Sequence, residues 1–277
     1  MPWAAVIGAP IAHSLSPALH RAAWTSIGLG GEWRYERLET RAEDLPALLS
    51  SLDGECVGLS ATMPCKQAII PLLDAVDPLA AAVGAVNTLV PSAGVLSGFN
   101  TDVHGIVAAI GGARAEAGLP EPSSALVLGA GATAASSLAA LGTLGVVAPS
   151  VAARRFGGPG SIVAAASRLG VDLVQIPWSD EEAVVRAVSE ADIVISTLPE
   201  GVADALAARL HPREDQTLLD VVYSPRRTGL VGAWRDAGAL VADGLDMLVH
   251  QAALQVRLMT GADPSLDAMR EAVAQWY

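Results

Sequence analysis

The segment Ala125-Leu-Val-Leu-Gly129-Ala-Gly131-Ala-Thr-Ala134 narrows the folds open to this chain more than any other. An unbroken apolar, strand-like run meets a Gly-x-Gly-x-x-Ala turn, and the residues beyond it are small and helix-forming. That context gives the turn a physical meaning which the bare pattern lacks. Gly129 makes the tight turn, and Gly131 lets a pyrophosphate approach the backbone. Ala134 takes the place of a third glycine and allows close packing of helix on strand. The helix N-terminus around Ala130, Ala132 and Thr133 then faces the phosphates with free N–H groups. The plainer alternative is a glycine turn without a ligand.

Strand-like runs recur at 146–153, 172–176, 192–196 and 217–222 with helical stretches between them, the βαβαβ rhythm of a dinucleotide-binding fold. About twenty residues past the turn, an NAD site would carry Asp or Glu to hold the ribose 2′-OH. This chain has Ala152-Ala153-Arg154-Arg155 there, with no acid. Two guanidinium groups at that strand end suit a 2′-phosphate, which favours NADP over NAD. A solvated surface pair is the competing reading.

The first hundred residues also alternate. Strands read at 4–8, 33–38 and 56–60, and helices at 17–27 and 45–52. A further helix starts near Pro64, and Pro71 should bend or end it. A hairpin reads around the turn Pro91–Gly94. The loop Gly118-Leu-Pro-Glu-Pro-Ser-Ser124 forms part of the passage into the second domain, and the last forty residues are helical again. The expected architecture is α/β in two domains. A Rossmann-like NADP-binding domain occupies 106–239, and a discontinuous α/β substrate domain with a mainly parallel sheet occupies 1–105 and 240–277.

A chain of 277 residues can form two cores, and 52% hydrophobic with only 4% aromatic content makes them cores of Ala, Val and Leu. The net charge of −12 argues against a nucleic-acid partner. No apolar run reaches bilayer length and no signal segment is evident, so no membrane partner and a cytoplasmic location are expected. Cys56 and Cys65 make no disulfide framework. The five histidines show no metal-ligand spacing, so no metal is expected.

Lys66, in Ser60-Ala-Thr-Met-Pro-Cys-Lys66, is the one lysine among 17 basic residues. Arginine keeps its proton near neutral pH, whereas a lysine ammonium can be tuned to exchange one. Chance in an arginine-rich chain is the rival explanation. Other polar clusters sit at chain turns: Ser14 and Ser16 after the first strand, Gly84-Ala-Val-Asn87-Thr88, and Gly98-Phe-Asn-Thr-Asp102 ahead of a helix near His104. Each could be a helix cap, but together they exceed what capping needs. Ligand groups in such sheets come from loops at the strand carboxyl ends.

In combination these blocks resemble the shikimate dehydrogenase family. They are Gly8-Ala-Pro-Ile-Ala-His-Ser-Leu-Ser-Pro17, Thr62-x-Pro64-x-Lys66, Gly84-Ala-Val-Asn-Thr88, Asn100-Thr-Asp102, the Gly-Ala-Gly turn and Gly244-Leu-Asp-Met-Leu-Val-His-Gln251, in family order. The resemblance implies NADPH-dependent reduction of 3-dehydroshikimate to shikimate in aromatic amino acid synthesis, at a cleft between the domains. It implies that Ser14 and Ser16 hold the substrate carboxylate. Thr62, Asn87, Asp102 and Gln251 would bind its hydroxyls, with Lys66 and Asp102 as the acid/base pair. Tyr223 and Gly244 match blocks on the cofactor side, and a homodimer is compatible with it. Two departures stand out: Ser60 where the family commonly has Asn, and Arg155 where it often has Thr. A quinate-oxidising paralogue and a non-catalytic NADP sensor are the alternatives.

Overall fold

The computed structural model describes residues 1–158, 160–225 and 227–276. The chain divides into two compact units, one made of Met1–Asp102 and Val249–Gln275, the other of Val103–Leu248.

In the first unit the elements run β1 (Trp3–Gly8), α1 (Ser16–Ser26), β2 (Arg34–Glu39), α2 (Leu45–Ser50), β3 (Cys56–Ala61), α3 (Cys65–Ala68), β4 (Ala75–Val76), α4 (Pro78–Val83), β5 (Thr88–Ser92) and β6 (Val95–Phe99). The six strands form one sheet in the order β2-β1-β3-β5-β6-β4. β1 pairs parallel with β2 and β3, and β4 pairs parallel with β6. β5 alone runs against its neighbours. The mainly parallel sheet expected from the sequence is present.

The hairpin forms because Ala93 and Gly94 both take positive φ, 50° and 79°, a two-residue turn whose twist suits the strands. Pro91 and Ser92, read from the sequence as turn residues, belong to β5. α3 is a single turn that ends before Pro71, as expected.

The second unit opens within the helix α5 (Asp102–Glu116), then runs β7 (Ala125–Leu128), α6 (Ala132–Thr143), β8 (Ser150–Ala153), α7 (Ile162–Leu169), β9 (Val174–Pro177), α8 (Glu181–Glu190), β10 (Ile193–Ser196), α9 (Asp204–Ala207), β11 (Thr217–Asp220), α10 (Gly229–Asp236) and β12 (Leu240–Ala242). The chain leaves it along α11 (Gly244–Thr260), and α12 (Leu266–Ala272) follows in the first unit. The six strands are all parallel in the order β12-β11-β10-β7-β8-β9. That is the doubly wound order, which reverses direction between β7 and β10.

Two boundaries differ from the sequence reading. The strand expected from residue 146 begins at Ser150. Gly145 has φ 93° and the Val146 N–H returns to the Leu141 carbonyl, so this stretch closes α6 instead of starting a strand. The helix expected near His104 begins at Asp102.

The core of the second unit is built of Leu, Val and Ala around Trp234. On the first unit's sheet, β1 and β3 bury Ala5, Ile7 and Leu59 against Leu45, Ile69 and Leu89. Beside β2 lies an aromatic cluster in which His20 stacks on Tyr35 with ring centroids 4.1 Å apart. Trp24 packs against the same ring at 5.7 Å. The His20 Nδ1–H donates to the Ser16 carbonyl at 2.9 Å.

Burial lowers the His20 pKa from 6.5 to about 4, opposed in part by that hydrogen bond. The fold therefore favours neutral imidazole. Its contribution is whole above pH 6.5, where the unfolded chain is neutral too, and is lost as pH falls towards 4. The urea midpoint should drop between pH 7 and 5, and the drop should be smaller in His20→Leu whatever that variant's absolute stability.

Candidate active site

The polar clusters meet because of strand direction. Ser14 and Ser16 follow β1, Thr62 follows β3, and Asn100–Asp102 follow β6. Asn87 instead precedes β5. Since β5 is reversed, Thr88 lies opposite both Ser60 at the end of β3 and Phe99 at the end of β6. Four chain turns therefore share the carboxyl edge of one sheet, where ligands of such sheets bind.

Lys66 lies in the single turn of α3. The Cys65 N–H bonds the Thr62 carbonyl at 2.8 Å, and the Lys66 carbonyl accepts from the Val86 N–H at 2.8 Å. These bonds fix Lys66 beside the loop that carries Asn87. Its ammonium reaches Asp102 Oδ2 at 2.5 Å, with the lysine side chain 14% and the aspartate side chain 5% exposed. The other carboxylate oxygen, Oδ1, accepts from Asn87 Nδ2 at 2.8 Å.

Asn87 is held on both sides of its amide. Its Oδ1 accepts from the Thr101 N–H and from the Thr88 hydroxyl, both at 2.8 Å. Its Nδ2 also donates to Thr101 Oγ1 at 2.9 Å and lies 3.3 Å from Gln251 Oε1. Lys66, Asn87, Asp102 and Gln251 thus form one group, completed by Thr101.

Thr62 is half-buried at the end of β3, beside β1: its N–H bonds the Ile7 carbonyl at 2.9 Å. A side chain at Gly8 would strike both Thr62 and the Met63 carbonyl, so this close approach requires glycine. Neither Ser14 nor Ser16 is the cap residue of α1, although Ser14 Oγ accepts from the Ser16 N–H at 3.3 Å. The cap position is Leu15, and Ser16 is already helical. Arg37 clamps the turn, its guanidinium donating twice to the Ser14 carbonyl at 3.1 and 2.7 Å.

Ser60 is one of the two departures from the family blocks. It is buried, accepting from the Tyr35 hydroxyl at 2.7 Å and donating to Gln255 Oε1 at 2.8 Å. Tyr35 and Gln255 were not singled out. The one signal for Gln255 was its i+4 spacing from Gln251 on a helix, which places both amides on one face.

In the second unit, Gly129 follows β7 with φ 110°, and a side chain there would meet the Thr197 hydroxyl. A Cβ at Gly131 would meet open space. α6 has Gly131 at its cap position and so no side-chain cap, whereas α7, α8 and α10 are capped by Ser161, Asp180 and Thr228. Its first N–H groups are therefore left for a ligand. Ala134 is fully buried, as the close helix–strand packing requires.

A cavity of about 430 Å³ opens at the ends of β7, β8 and β10. Its lining includes Gly129, Ala130, Gly131, Arg154 and Arg155, together with Trp178. Ala132, Thr133, Tyr223 and Gly244 are not part of that lining. Tyr223 is half-buried in the loop after β11. Gly244 opens α11, where a Cβ would collide with the Asp220 carbonyl. An open glycine turn, an uncapped helix start and two guanidinium groups fit a dinucleotide with an extra phosphate.

Two family models match the chain: the shikimate dehydrogenase substrate binding domain over residues 6–89 and the shikimate 5′-dehydrogenase C-terminal domain over residues 244–274. An NADP(+) shikimate dehydrogenase from Citrifermentans bemidjiense is 39% identical, covering 98% of this chain and 94% of that protein. The chain belongs to the shikimate dehydrogenase family.

Among solved structures, the Mycobacterium tuberculosis shikimate dehydrogenase has TM-score 0.88 at 37% identity, covering 99% of this chain and 100% of that one. The Thermus thermophilus shikimate 5-dehydrogenase in complex with NADP(H) and shikimate has TM-score 0.83 at 35% identity and covers both chains fully, 100% of each. A quinate dehydrogenase from Corynebacterium glutamicum in complex with NAD is also similar, with TM-score 0.82 at 29% identity and 99% of both chains covered. Likeness of fold therefore does not separate the two substrates.

Among the described residues, no group of three or more His, Cys, Asp or Glu side chains is placed to hold a metal ion. No helix among them is long and apolar enough to cross a membrane. Cys65 is fully buried with its Sγ 3.4 Å from the Thr40 carbonyl, and burial pushes its thiol up to about 11, which suits packing and not nucleophilic chemistry.

Removing the Asn87 amide would strand the Thr101 N–H and Asp102 Oδ1, both buried. Asn87→Ala should cost about 2–4 kcal/mol, since each buried group left unpaired costs about 1–3 kcal/mol. Urea unfolding of the variant against wild type measures it.

Proposed function

We propose that this chain catalyses the NADPH-dependent, reversible reduction of 3-dehydroshikimate to shikimate, as a cytoplasmic enzyme of aromatic amino acid synthesis. The first unit, with residues 1 to about 105 and the C-terminal helices, binds the substrate. The segment 106–239 binds NADP.

One observation carries the reading. In a chain whose other 16 basic residues are arginine, the single lysine is bonded to Asp102 among Asn87, Thr101 and Gln251. Ion pairing alone would accept arginine there. A proton donor would not, because guanidinium does not deprotonate in a protein.

Bound NADPH supplies the hydride. Reduction of the ketone leaves negative charge on the carbonyl oxygen, and Lys66 Nζ gives that oxygen a proton; in the reverse direction it takes the proton back. Asp102 keeps the ammonium in place through Oδ2 and receives a hydroxyl of the substrate. Thr62, Asn87 and Gln251 take the remaining hydroxyls, and Ser14 and Ser16 the carboxylate. Gly129, Ala130, Gly131, Ala132 and Thr133 cradle the pyrophosphate, and Arg154 with Arg155 grips the 2′-phosphate. Tyr223 would stand near the nicotinamide, and Gly244 would also serve the cofactor.

Initial rates with shikimate and quinate, each with NADP and NAD, test this reading. Wild type should turn over shikimate with NADP best. Lys66→Arg should lose roughly 10²-fold or more in kcat, the usual contribution of a positioned acid or base. Arg154→Ala should raise the KM for NADP while leaving that for NAD nearly unchanged. Full activity in the arginine variant would overturn the proton-transfer role. A preference for quinate would select the paralogue, and no turnover with any pair would select a binding protein.

A further inference from the structure

Ser60 has lost the amide that the family commonly carries at this position, and its hydroxyl is fully spent inside the fold. It accepts from Tyr35 Oη and donates to Gln255 Oε1. Gln255 is 1% exposed, and both of its amide hydrogens are used: Nε2 donates to the Asn87 carbonyl and to Thr88 Oγ1, each at 3.0 Å. The Thr88 hydroxyl in turn donates to Asn87 Oδ1 at 2.8 Å. Asn87 Nδ2 donates to Asp102 Oδ1 at 2.8 Å.

The chemistry of the partners sets the direction of these bonds. The Asn87 main-chain carbonyl accepts and cannot donate, so the NH₂ side of Gln255 must face it and its oxygen must face Ser60. With Gln255 occupying a lone pair of Thr88, that hydroxyl donates to Asn87 Oδ1 at 2.8 Å, the shorter of its two contacts, Thr101 Oγ1 lying at 3.4 Å. Asn87 then presents its oxygen to Thr88 and to the Thr101 N–H, and its NH₂ to the carboxylate that holds Lys66. Reversing Asn87 would set a carbonyl oxygen against Asp102 Oδ1, acceptor against acceptor, in a buried setting where such a contact is costly.

We infer that Gln255, together with Ser60, is a positioning element for the proposed proton-transfer pair: through Thr88 it fixes which way Asn87 faces, and through Asn87 it holds the Asp102 carboxylate for Lys66. Ser60 and Gln255 are buried, 4% and 1% exposed, and act through their neighbours. The carboxamide absent from position 60 is supplied from α11, 195 residues along the chain. The Thr101 N–H orients Asn87 as well, so loss of Gln255 weakens the arrangement without abolishing it. This inference rests on the functional reading above.

The informative variants keep shape and change polarity. Gln255→Glu puts an acceptor against the Asn87 carbonyl and draws the Thr88 hydroxyl away from Asn87. Thr88→Val removes that hydroxyl alone. Each should lower kcat with shikimate and NADP by roughly tenfold, with KM for shikimate within about threefold, as expected for a contact realised in the transition state. The double variant should be no worse than the weaker single variant, because both act on one series of bonds.

In ¹⁵N-labelled protein, the Asn87 side-chain amide resonance should move in both variants. It reports orientation whether or not the protein turns over shikimate. Wild type without turnover but with the shift present in the variants would defeat the functional reading and leave the orientation of Asn87 by Gln255 standing. Folded variants, by thermal melting, with wild-type kcat and an unmoved resonance would overturn the inference. So would rate losses that multiply in the double variant. Should Gln255→Glu not fold, Thr88→Val carries the same two readouts.

Discussion

The first unit turns on a lysine and an aspartate that are both almost removed from water, with Lys66 Nζ 2.5 Å from Asp102 Oδ2. Taking two charges out of water is costly, and their mutual attraction repays this only if the remaining lone pairs and protons find partners. The fold provides such a partner on Oδ1, through Asn87, and braces Asn87 with Thr88 and Thr101. That bracing needs the chain to present Asn87 where the β3 and β6 ends already lie. The reversal of β5 accomplishes it. In an all-parallel sheet the start of that strand would fall at the opposite edge. One antiparallel strand is thus what completes the surroundings of the ion pair.

In the second unit the constraint is backbone approach. Gly129 leaves space for Thr197 and Gly131 leaves space for a ligand, and the two are not interchangeable. The order of strands then sets β7 between β8 and β10, so that Gly129, Arg154 and Trp178 line one cavity. A chain with net charge −12 repels anions at long range. Two adjacent arginines at the end of β8 supply local positive charge beside that cavity, which the proposed hold on a phosphorylated ribose needs. Arg155 in place of the hydroxyl residue often found in the family adds charge at that point.

Much of this was legible in the sequence because it depends on local chemistry. The Gly-x-Gly-x-x-Ala turn, the breaking of α3 ahead of Pro71, and the strand-to-helix junction at Asp102 follow from backbone rules within a few residues. The family blocks then fixed the order of the two units' elements. What stayed hidden depends on pairing between distant residues. No local pattern shows that β5 runs backwards, and therefore that Asn87, at a strand start, joins residues at strand ends. Nor does anything near residue 60 reveal that Ser60 bonds Gln255. The apolar run from Val146 resembled a strand because periodicity cannot tell a strand from a buried helix exit; Gly145 and the Val146–Leu141 bond settle it. Ser14 and Ser16 resembled caps because serine before a helix usually is one, yet the turn closes at Leu15 and is clamped from Arg37.

The direction of the hydrogen bonds sharpens the meaning of the single lysine. From Tyr35 through Ser60, Gln255, Thr88 and Asn87, every donor points towards Asp102, and the series ends on Oδ1. Oδ2 meets the Lys66 ammonium. If charge neutralisation were the whole requirement, a guanidinium would serve at least as well, since it forks onto carboxylates and sheds water more readily. This chain uses arginine at all its other basic positions. An ammonium differs in one respect that bears on the reaction: it can part with a proton and regain it. A carboxylate held by Asn87 on one oxygen and Lys66 on the other is also a fixed anion beside which the proton can return. On the proposed reaction, the buried series of donors and the choice of lysine answer the same need, a proton donor held in one place.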